Sequence, residues 1–359
     1  MYPLRLALTA LFCVAVMQAP AQAPDASAPE IDQPISRVTV SNIVAPTLVT
    51  DRGGNIIDGL PPTQFHLFDN GKEQNIQVDV SFEPVSMVVA IEKSARVEAI
   101  LTQIKHLGTL LPLVAGDHGE VAILAFDHRI DLMQDFPSDT DKLKVADNKI
   151  NDGSSSSRMI DAVDRGVYML KKRPANNRKI ILLVSETRDQ ASEGKVRETL
   201  LDAQLSNILV YTVDITQFAV RLSEKPQPAR PDPIDITAQT LPMGQPATPT
   251  TVAPNSPNNQ VQFMPLLVEI YKDAKGLFVP NPSEVFAKGT GGNEFFFLKQ
   301  RGLEDAIQRI STEIRSQYLI IYNPNNKDEP GFHSIEVSLN NPAYSAKTRP
   351  GYWLGGGKQ

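Results

Sequence analysis

Residues 87–91 read MVVAI, a continuous apolar run that begins just after Pro84. A strand of a parallel sheet is covered on both faces, so its sequence is an unbroken apolar run rather than an alternating one. A helical pattern follows over 95–111, where apolar residues recur at spacings of three and four. The run therefore predicts a buried parallel strand that leads into a helix.

The same alternation of strands and helices continues along the chain. Apolar runs at 121–126, 180–184 and 208–213 are separated by helical patterns at 160–170 and 196–205. Strands that alternate with helices form right-handed β-α-β crossovers around a mostly parallel sheet. We therefore predict an α/β fold, Rossmann-like and doubly wound, with helices on both faces of the sheet.

Short strands and tight turns flank this alternation at both ends. An Asn-Gly pair at 70–71 lies between the apolar residues of 65–68 and an alternating strand pattern at 76–80. Asn-Gly is typical of a β-hairpin because both turn positions tolerate a positive φ. A few short strands from either end alone would be marginally stable. We therefore predict one small β domain that combines 35–83 with the strand patterns of 318–354.

One segment of the chain is too rich in proline to belong to a core. Nine of the 28 prolines lie in residues 224–260, which contain no aromatic residue. Such a segment buries too little apolar surface to offset the entropy lost on ordering. We interpret it as a disordered insertion within the α/β domain, which then comprises 84–223 and 261–317. A Pro-rich recognition segment is the alternative.

The first residues have the features of a secretory signal. Residues 1–21 combine a single charge, Arg5, with a short apolar run and an Ala-Pro-Ala cleavage pattern at 19–21. The run is too short to span a bilayer, and no later stretch predicts stable membrane insertion. We expect an exported protein, periplasmic or secreted, with an Ala- and Pro-rich mobile leader at 22–34.

The composition argues against several classes of function. The chain of 359 residues has a formal net charge of −6, five histidines and one cysteine. A mild negative charge argues against nucleic acid as a partner. One cysteine excludes a disulfide framework and a cysteine-rich zinc site, and the histidines form no H-E-x-x-H pattern.

The candidate functional residues lie in loops that follow the predicted strands. Ligands of open α/β sheets bind at the carboxyl ends of the strands. Polar and charged side chains are concentrated there in three loops, at 92–96, 154–158 and 186–190.

Five short motifs, taken in order, carry a resemblance to a known family. They are 49–54 (VTDRGG), 65–74 (FHLFDNGKEQ), 82–86 (FEPVS), 317–324 (QYLIIYNP) and 349–352 (RPGY). With the order of the elements, they resemble a von Willebrand factor type A (vWA) domain, and more narrowly the VWFA-related acidobacterial domain family. The resemblance covers about 35–223 and 262–354.

The resemblance implies a metal-ion-dependent adhesion site at the three loops. In such a site a D-x-S-x-S loop, a Thr and an Asp hold Mg²⁺, which keeps an open position for a carboxylate of a protein partner. Carried over to this chain, Glu92 replaces the first Asp, Ser94 matches, and Arg96 replaces the second Ser. Ser157 takes the Thr position, and Glu186 replaces the last Asp.

These departures from the family pattern favour a degenerate site. Glu is longer than Asp, whereas Mg²⁺ requires near-ideal octahedral geometry. Arg96 removes a hydroxyl ligand and places a fixed cation where the charge of the metal would lie. We expect no resident cofactor, with the charge balanced by Arg96 or Lys93. The alternatives are solvated loops without a special role, or a retained Mg²⁺ site formed by Glu92, Ser94, Ser157 and Glu186.

We therefore expect an exported protein-interaction module of the adhesion type, and not an enzyme. One alternative is a hydrolytic enzyme that uses Glu92 and Glu186, which would require separated pKa values. Another is a structural component of the cell envelope. The predicted partner-binding residues are Glu92, Lys93, Ser94, Arg96, Ser157, Arg158 and Glu186.

Overall fold

In a computed structural model of the chain, the described residues all lie within one compact unit, Val40–Gln359. The predicted signal peptide (1–21) and leader (22–34) lie outside the described residues, as does the predicted insertion up to residue 256. The structure describes 42–79, 84–104, 107–116, 118–136, 143, 145, 150, 153–216, 257–272, 279–296 and 300–354.

The strands and helices of the α/β domain include those that the sequence patterns predict, together with a helix at Pro282–Thr290 and a strand at Glu294–Phe296, which the patterns did not reveal. The strands are β1 (Ile43–Asp51), β2 (Phe65–Asp69), β3 (Lys72–Glu73), β4 (Ile76–Asp79), β5 (Val85–Glu92), β6 (Glu120–Phe126), β7 (Ile130–Gln134), β8 (Arg178–Ser185), β9 (Ile208–Asp214), β10 (Glu294–Phe296), β11 (Tyr318–Tyr322), β12 (Gly331–Leu339), β13 (Tyr344–Lys347) and β14 (Gly351–Leu354). The helices are α1 (Glu98–Ile104), α2 (Leu107–Ala115), α3 (Met159–Lys171), α4 (Val196–Leu205), α5 (Pro257–Lys272), α6 (Pro282–Thr290) and α7 (Gln300–Ser316).

A six-stranded sheet forms the centre of the α/β domain, in the order β10-β9-β8-β5-β6-β7. Neighbouring strands are parallel except for β6 and β7, which form an antiparallel pair at one edge. Many doubly wound sheets carry an antiparallel edge strand of this kind. β5 lies in the interior of the sheet and is buried along its whole length, as its apolar run predicts.

Helices cover both faces of this sheet, and each layer encloses its own core. Successive residues of a strand point to opposite faces. Val89 and Ile91 accordingly pack in the core beneath α1, α2 and α7. Val88 and Ala90 pack in the core beneath α3, α4, α5 and α6. The predicted doubly wound α/β fold is confirmed.

Two four-stranded antiparallel sheets form the β domain, in the orders β13-β1-β11-β4 and β14-β12-β2-β3. β1 lies between β11 and β13, and β2 pairs with β12, so strands from both ends of the chain share each sheet. Apolar residues of the two sheets, among them Ile43, Phe65, Ile320 and Val337, pack in one core. The prediction of a β domain built from amino- and carboxyl-terminal strands is confirmed.

The predicted turn at Asn70 and Gly71 has the expected backbone, with φ values of 49° and 74°. It joins β2 to the short β3 rather than to the longer strand at 76–80. That longer strand is β4, which pairs with β11 in the other sheet. The hairpin signal was therefore right about the turn, while the alternating strand beyond it changes sheets.

Two predicted helix boundaries differ from the structure. The pattern at 95–111 predicted one helix, whereas α1 and α2 are two helices on the same face of the sheet. α5 begins at Pro257, inside the segment assigned to the insertion. Proline suits the first turn of a helix, where its missing N–H has no partner in the helix. The polar first turn of α5 has no apolar periodicity, so the pattern could not reveal it.

Candidate functional site

The predicted loops meet at the point of the sheet where the connections after two neighbouring strands, β5 and β8, run in opposite directions. The chain leaves β5 through α1 and α2 towards β6 on one side, and leaves β8 through α4 towards β9 on the other. Ligands of open α/β sheets bind in the crevice at such a switch point. Glu92 ends β5, and Glu186 directly follows β8. The fold thus places both glutamates at this crevice.

Glu92 connects the two central strands from a buried position, with 0% of its surface exposed. Its Oε1 accepts a hydrogen bond from Ser94 Oγ at 2.7 Å, and its Oε2 accepts one from the Glu186 backbone N–H at 2.8 Å. Burial raises the pKa of Glu92, because it disfavours the charged form more than these hydrogen bonds favour it.

Of the pair Arg96 and Glu186, only Arg96 is accessible, because the Glu186 side chain is 12% exposed. Arg96 Nε lies 3.5 Å from Glu186 Oε2, and 37% of the Arg96 side chain is exposed. With the Gln190 amide oriented so that its oxygen faces Arg96, the guanidinium also donates to that oxygen. In the same orientation, Gln190 donates to the Ser155 carbonyl at 3.3 Å. Arg96 thus provides a cation beside the carboxylate of Glu186 and in contact with the third loop.

Ser157 carries a buried hydroxyl without a hydrogen-bond partner among the described residues. Its proximity offsets a small part of the rise in the Glu92 pKa that burial causes, although the hydroxyl makes no hydrogen bond of normal geometry. Its carbonyl accepts hydrogen bonds from the N–H groups of Gln190 and Ala191, at 3.0 and 3.1 Å. The second loop is therefore tied to the third through its backbone.

Asp127, which the sequence analysis did not select, is a further buried acid at this edge. It follows β6 directly and accepts hydrogen bonds from the N–H groups of Ser154 (2.9 Å) and Arg129 (2.8 Å). Burial raises the pKa of Asp127, but these donors, together with His128 and Lys93, outweigh burial and lower it to about 2. The available signal was an aspartate directly after an apolar strand.

Lys93 turns towards Asp127 rather than towards Glu92. Its Nζ lies 3.0 Å from Asp131 Oδ2 and 3.8 Å from Asp127 Oδ2. Gly153 makes this packing possible, because a Cβ there would lie 2.3 Å from Asp127 Oδ2. The Gly153 N–H donates to the Lys93 carbonyl at 2.8 Å, which ties the first loop to the segment before the second.

Arg158 belongs to a separate ion-pair network at the start of α3. Its Nε donates to Asp161 Oδ2 at 2.7 Å, and one terminal nitrogen donates to Glu193 Oε1 at 3.0 Å. The hydrogen bond to Asp161 raises the pKa of Arg158. Of the predicted residues, the structure thus brings Glu92, Ser94, Ser157, Glu186 and Arg96 together, while Lys93 and Arg158 pair with other acids.

The resemblance to a vWA domain implies Mg²⁺ at this edge, but the side chains differ in how well they suit a divalent ion. The unpartnered Ser157 hydroxyl is a suitable hard oxygen ligand. However, both oxygens of Glu92 already accept hydrogen bonds, and Glu186 is paired with Arg96. In the described part of the chain, no group of three or more Asp, Glu, His or Cys side chains is arranged to hold a metal ion. The residues as arranged therefore fit a divalent ion poorly.

Comparisons with known proteins find similarity in structure only. No family model and no curated protein matches the sequence. A von Willebrand factor type A structure from Catenulispora acidiphila is 8% identical, with a TM-score of 0.43 over 81% of this chain and 72% of that chain. An aerotolerance-related membrane protein from Bacteroides fragilis NCTC 9343 is 13% identical, with a TM-score of 0.38 over 64% of this chain and 99% of that chain.

A third similar structure is the vWF domain of the type V pili tip protein Mfa5 from Porphyromonas gingivalis, which is 16% identical, with a TM-score of 0.26 over 30% of this chain and 40% of that chain. These likenesses are too distant to carry a functional conclusion. The topology itself shows a doubly wound α/β domain with a mostly parallel sheet, together with a β domain of two antiparallel sheets. None of the described helices combines the length and apolar character needed to cross a bilayer.

Proposed function

We propose that the chain is an exported protein-interaction module of the adhesion type, which binds a protein partner through the loops 92–96, 154–158 and 186–190. The observation that carries the proposal is the position of Arg96, an accessible cation beside Glu186 at the switch point of the sheet. In a metal-dependent adhesion site a bound ion presents positive charge to a carboxylate of the partner. In this chain Arg96 supplies that charge, so the site is degenerate and needs no resident cofactor.

The chemistry of the guanidinium supports this role. Arginine presents several N–H donors in a planar fork that matches a carboxylate in a bidentate manner. Arg96 directs Nε towards Glu186 and one donor towards Gln190, while more than a third of the side chain is exposed. An acidic side chain of a partner is therefore the group that we expect at this position.

The loops around Arg96 are held in place by hydrogen bonds between them. The Glu92 carboxylate binds the Glu186 N–H, and the Ser157 carbonyl binds the Gln190 N–H. A surface that is ordered before binding loses less entropy when a partner docks. We therefore assign Arg96 and Glu186 to partner contact, and the buried Glu92, Ser94 and Ser157 to positioning of the loops.

The alternative functions receive less support from the same geometry. A hydrolytic enzyme would require Glu92 to exchange a proton with substrate, yet Glu92 is buried and both its oxygens accept hydrogen bonds. A structural envelope component would use the β domain as its assembly surface and would not depend on Arg96. The interaction module and the envelope component both require export of the chain. The prediction of export rests on the sequence of residues 1–21, which lie outside the described part of the chain.

The test compares the chain with Arg96→Ser and with a matched control, Arg309→Ser, at an exposed arginine of α7. Each version is immobilised and used to capture proteins from an envelope extract of the native cell, and the captured proteins are quantified. A captured protein is then titrated against all three versions by calorimetry.

We expect a partner that binds the wild type and Arg309→Ser with equal affinity. Its affinity for Arg96→Ser should be about tenfold lower or weaker still, which is the scale of one charge-assisted contact. A partner that binds all three versions equally would contradict the assignment and favour the assembly role.

A further inference from the structure

Lys347, Asn293 and Glu313 come together where the β domain meets the α/β domain. Lys347 is the last residue of β13, Asn293 directly precedes β10, and Glu313 lies in α7. Lys347 Nζ lies 2.5 Å from Asn293 Oδ1. Asn293 Nδ2 in turn donates to Glu313, at 2.9 Å from Oε1 and 3.2 Å from Oε2. One side-chain amide is therefore held between an amine and a carboxyl group.

The amine and the carboxyl group meet through the amide and not through an ion pair of their own. Within the described residues, Lys347 and Glu313 each make their side-chain hydrogen bonds to Asn293, and both side chains are partly buried. Burial lowers the pKa of Lys347 and raises the pKa of Glu313, although the attraction between the two groups opposes both shifts. Both shifts act towards a neutral amine, which is the nucleophilic form of lysine, and towards a protonated carboxyl group, which is an acid.

The backbone holds the amide in this position. The Asn293 carbonyl accepts a hydrogen bond from the Thr212 N–H of β9 at 3.0 Å. A Cβ at Gly292 would collide with the Val210 carbonyl oxygen, so glycine lets the chain before Asn293 lie close against β9. Lys347 is fixed from the other side, because β13 pairs with β1. The fold therefore brings the amine against the amide before any reaction, which is the condition under which an intramolecular step becomes fast.

We propose that Lys347 and Asn293 form an intramolecular isopeptide bond, with Glu313 transferring the protons. The Lys347 amine attacks Asn293 Cγ, so that a bond from Nζ to Cγ forms and the bond from Cγ to Nδ2 breaks. Through its two oxygens, Glu313 gives one proton to the leaving nitrogen and takes one from the attacking amine. Nδ2 leaves as ammonia, and Glu313 ends in the protonation state in which it began. The products are one secondary amide and one ammonia, which account for every atom of the amine and the primary amide.

Such a bond would link the carboxyl-terminal strands of the β domain to the α/β domain. It closes a loop between Asn293 and Lys347, and a cross-link of this kind stabilises a fold by restricting the unfolded chain. The chain contains one cysteine, Cys13, so a disulfide within the chain cannot serve this purpose. The cross-link uses none of the residues of the strand-end loops, so it does not depend on the proposed function.

Mass spectrometry of the folded full chain tests the proposal. The wild type should be lighter than its sequence by one molecule of ammonia. Cyclisation of an amino-terminal glutamine causes the same loss, and the predicted cleavage after residue 21 would expose Gln22. The cross-link is therefore located in a tryptic digest. We expect residues 289–299, which contain Asn293, to be joined to a peptide in which Lys347 is uncleaved.

Variants assign the role of each group. Lys347→Arg and Asn293→Ala each remove one reacting group and should abolish the joined peptide. Glu313→Gln keeps a hydrogen-bonding side chain of similar size, and it should slow formation of the bond by about a hundredfold or more. The rate is followed from the moment that unlinked chain, kept in urea since synthesis, is diluted to refold. The control Lys171→Arg, at an exposed lysine that pairs with Asp202, should react as the wild type does.

The folded wild type decides the matter even if a variant does not fold. Separate recovery of residues 289–299 and of a peptide cleaved at Lys347, with no joined form, would overturn the proposal. A joined peptide in Lys347→Arg would overturn the assignment of the lysine. Formation at the wild-type rate in Glu313→Gln would overturn the role of Glu313 in proton transfer.

Discussion

Two regions of this molecule bury a carboxylate at a junction of strands, and they do so in different ways. Asp69 lies within the β domain, where β11, β12 and β14 each supply a side chain that contacts it, namely Tyr322, His333 and Tyr352. Glu92 lies at the switch point of the α/β domain, where the Ser94 hydroxyl and the backbone N–H of Glu186, directly after β8, donate hydrogen bonds to it.

The two carboxylates differ in whether the hydrogen-bond network around them reaches the surface. All the groups around Asp69 are themselves buried, so the network is closed and holds strands from the two ends of the chain together. The network around Glu92 continues through Glu186 to Arg96, which reaches the surface. A buried carboxylate therefore joins strands in the β domain, around Asp69, and supports a candidate binding site in the α/β domain, around Glu92. The difference depends on whether the network reaches solvent.

Of the substitutions that test this comparison, removal of the Asp69 carboxylate should lower the free energy of unfolding most. Asp69→Ala leaves two buried tyrosine hydroxyls and a buried histidine without their acceptor, and we expect it to lower the free energy of unfolding by about 3–5 kcal/mol. Denaturant unfolding of the full chain measures this. The matched control Asp58→Ala, at an exposed aspartate, should change the value by less than about 0.5 kcal/mol. A loss below about 1 kcal/mol for Asp69→Ala would show that the network is not the link described above.

Asp127→Asn tests the strand-end edge, with a smaller effect and a defined pH dependence. The pKa of Asp127 is lowered from 3.8 to about 2 in the folded chain. Its charged form therefore contributes about 2 kcal/mol at neutral pH, and this contribution is lost as the pH falls from about 4 to about 2. The free energies of unfolding of the wild type and of Asp127→Asn should thus differ at pH 7 and become similar near pH 2.

The control for that experiment is Asp131→Asn, because Asp131 contacts the same lysine but is nearly half exposed. We expect it to change the unfolding free energy by less than about 0.5 kcal/mol at any pH in this range. A constant difference between wild type and Asp127→Asn across the range would contradict the electrostatic origin of the effect.

Arg96→Ser should have the smallest effect on the free energy of unfolding, but it should change metal binding at the strand-end loops. It removes the guanidinium that occupies the place of a metal ion, and it supplies the hydroxyl of the vWA pattern next to Ser94, Ser157 and Glu186. We expect calorimetry to detect saturable Mn²⁺ binding to Arg96→Ser and none to the wild type or to Arg309→Ser. Saturable Mn²⁺ binding by the wild type, abolished by Ser94→Ala, would instead support a retained metal site.

The sequence was sufficient for the fold class because its strongest signals are local. The run at 87–91 and the Asn-Gly turn at 70–71 each reflect a short-range rule, burial on both faces and positive φ. The placement of Glu92 and Glu186 also followed, since parallel strands end at the same edge.

The buried positions of Asp127 and Arg349 could not be predicted because they depend on contacts between distant segments. The backbone N–H of Ser154 stabilises Asp127 as an anion, and Gly153 leaves room for its carboxylate; neither contact leaves a pattern in the sequence. Arg349 was noted as part of the RPGY motif, but its burial results from packing of β14 near α4. The change of sheet between β3 and β4 depends on pairing with β11, a strand from the other end of the chain.

The interleaving of β1 between β11 and β13 also has a consequence for synthesis. β1 and β2 leave the ribosome before the whole α/β domain, whereas their partner strands β11, β12 and β13 are made only after it. Until then, their backbone N–H and C=O groups are open to pairing with other chains. The α/β domain has its own cores and can fold first, so the ends of the β domain are expected to close last, in a slow, non-local step.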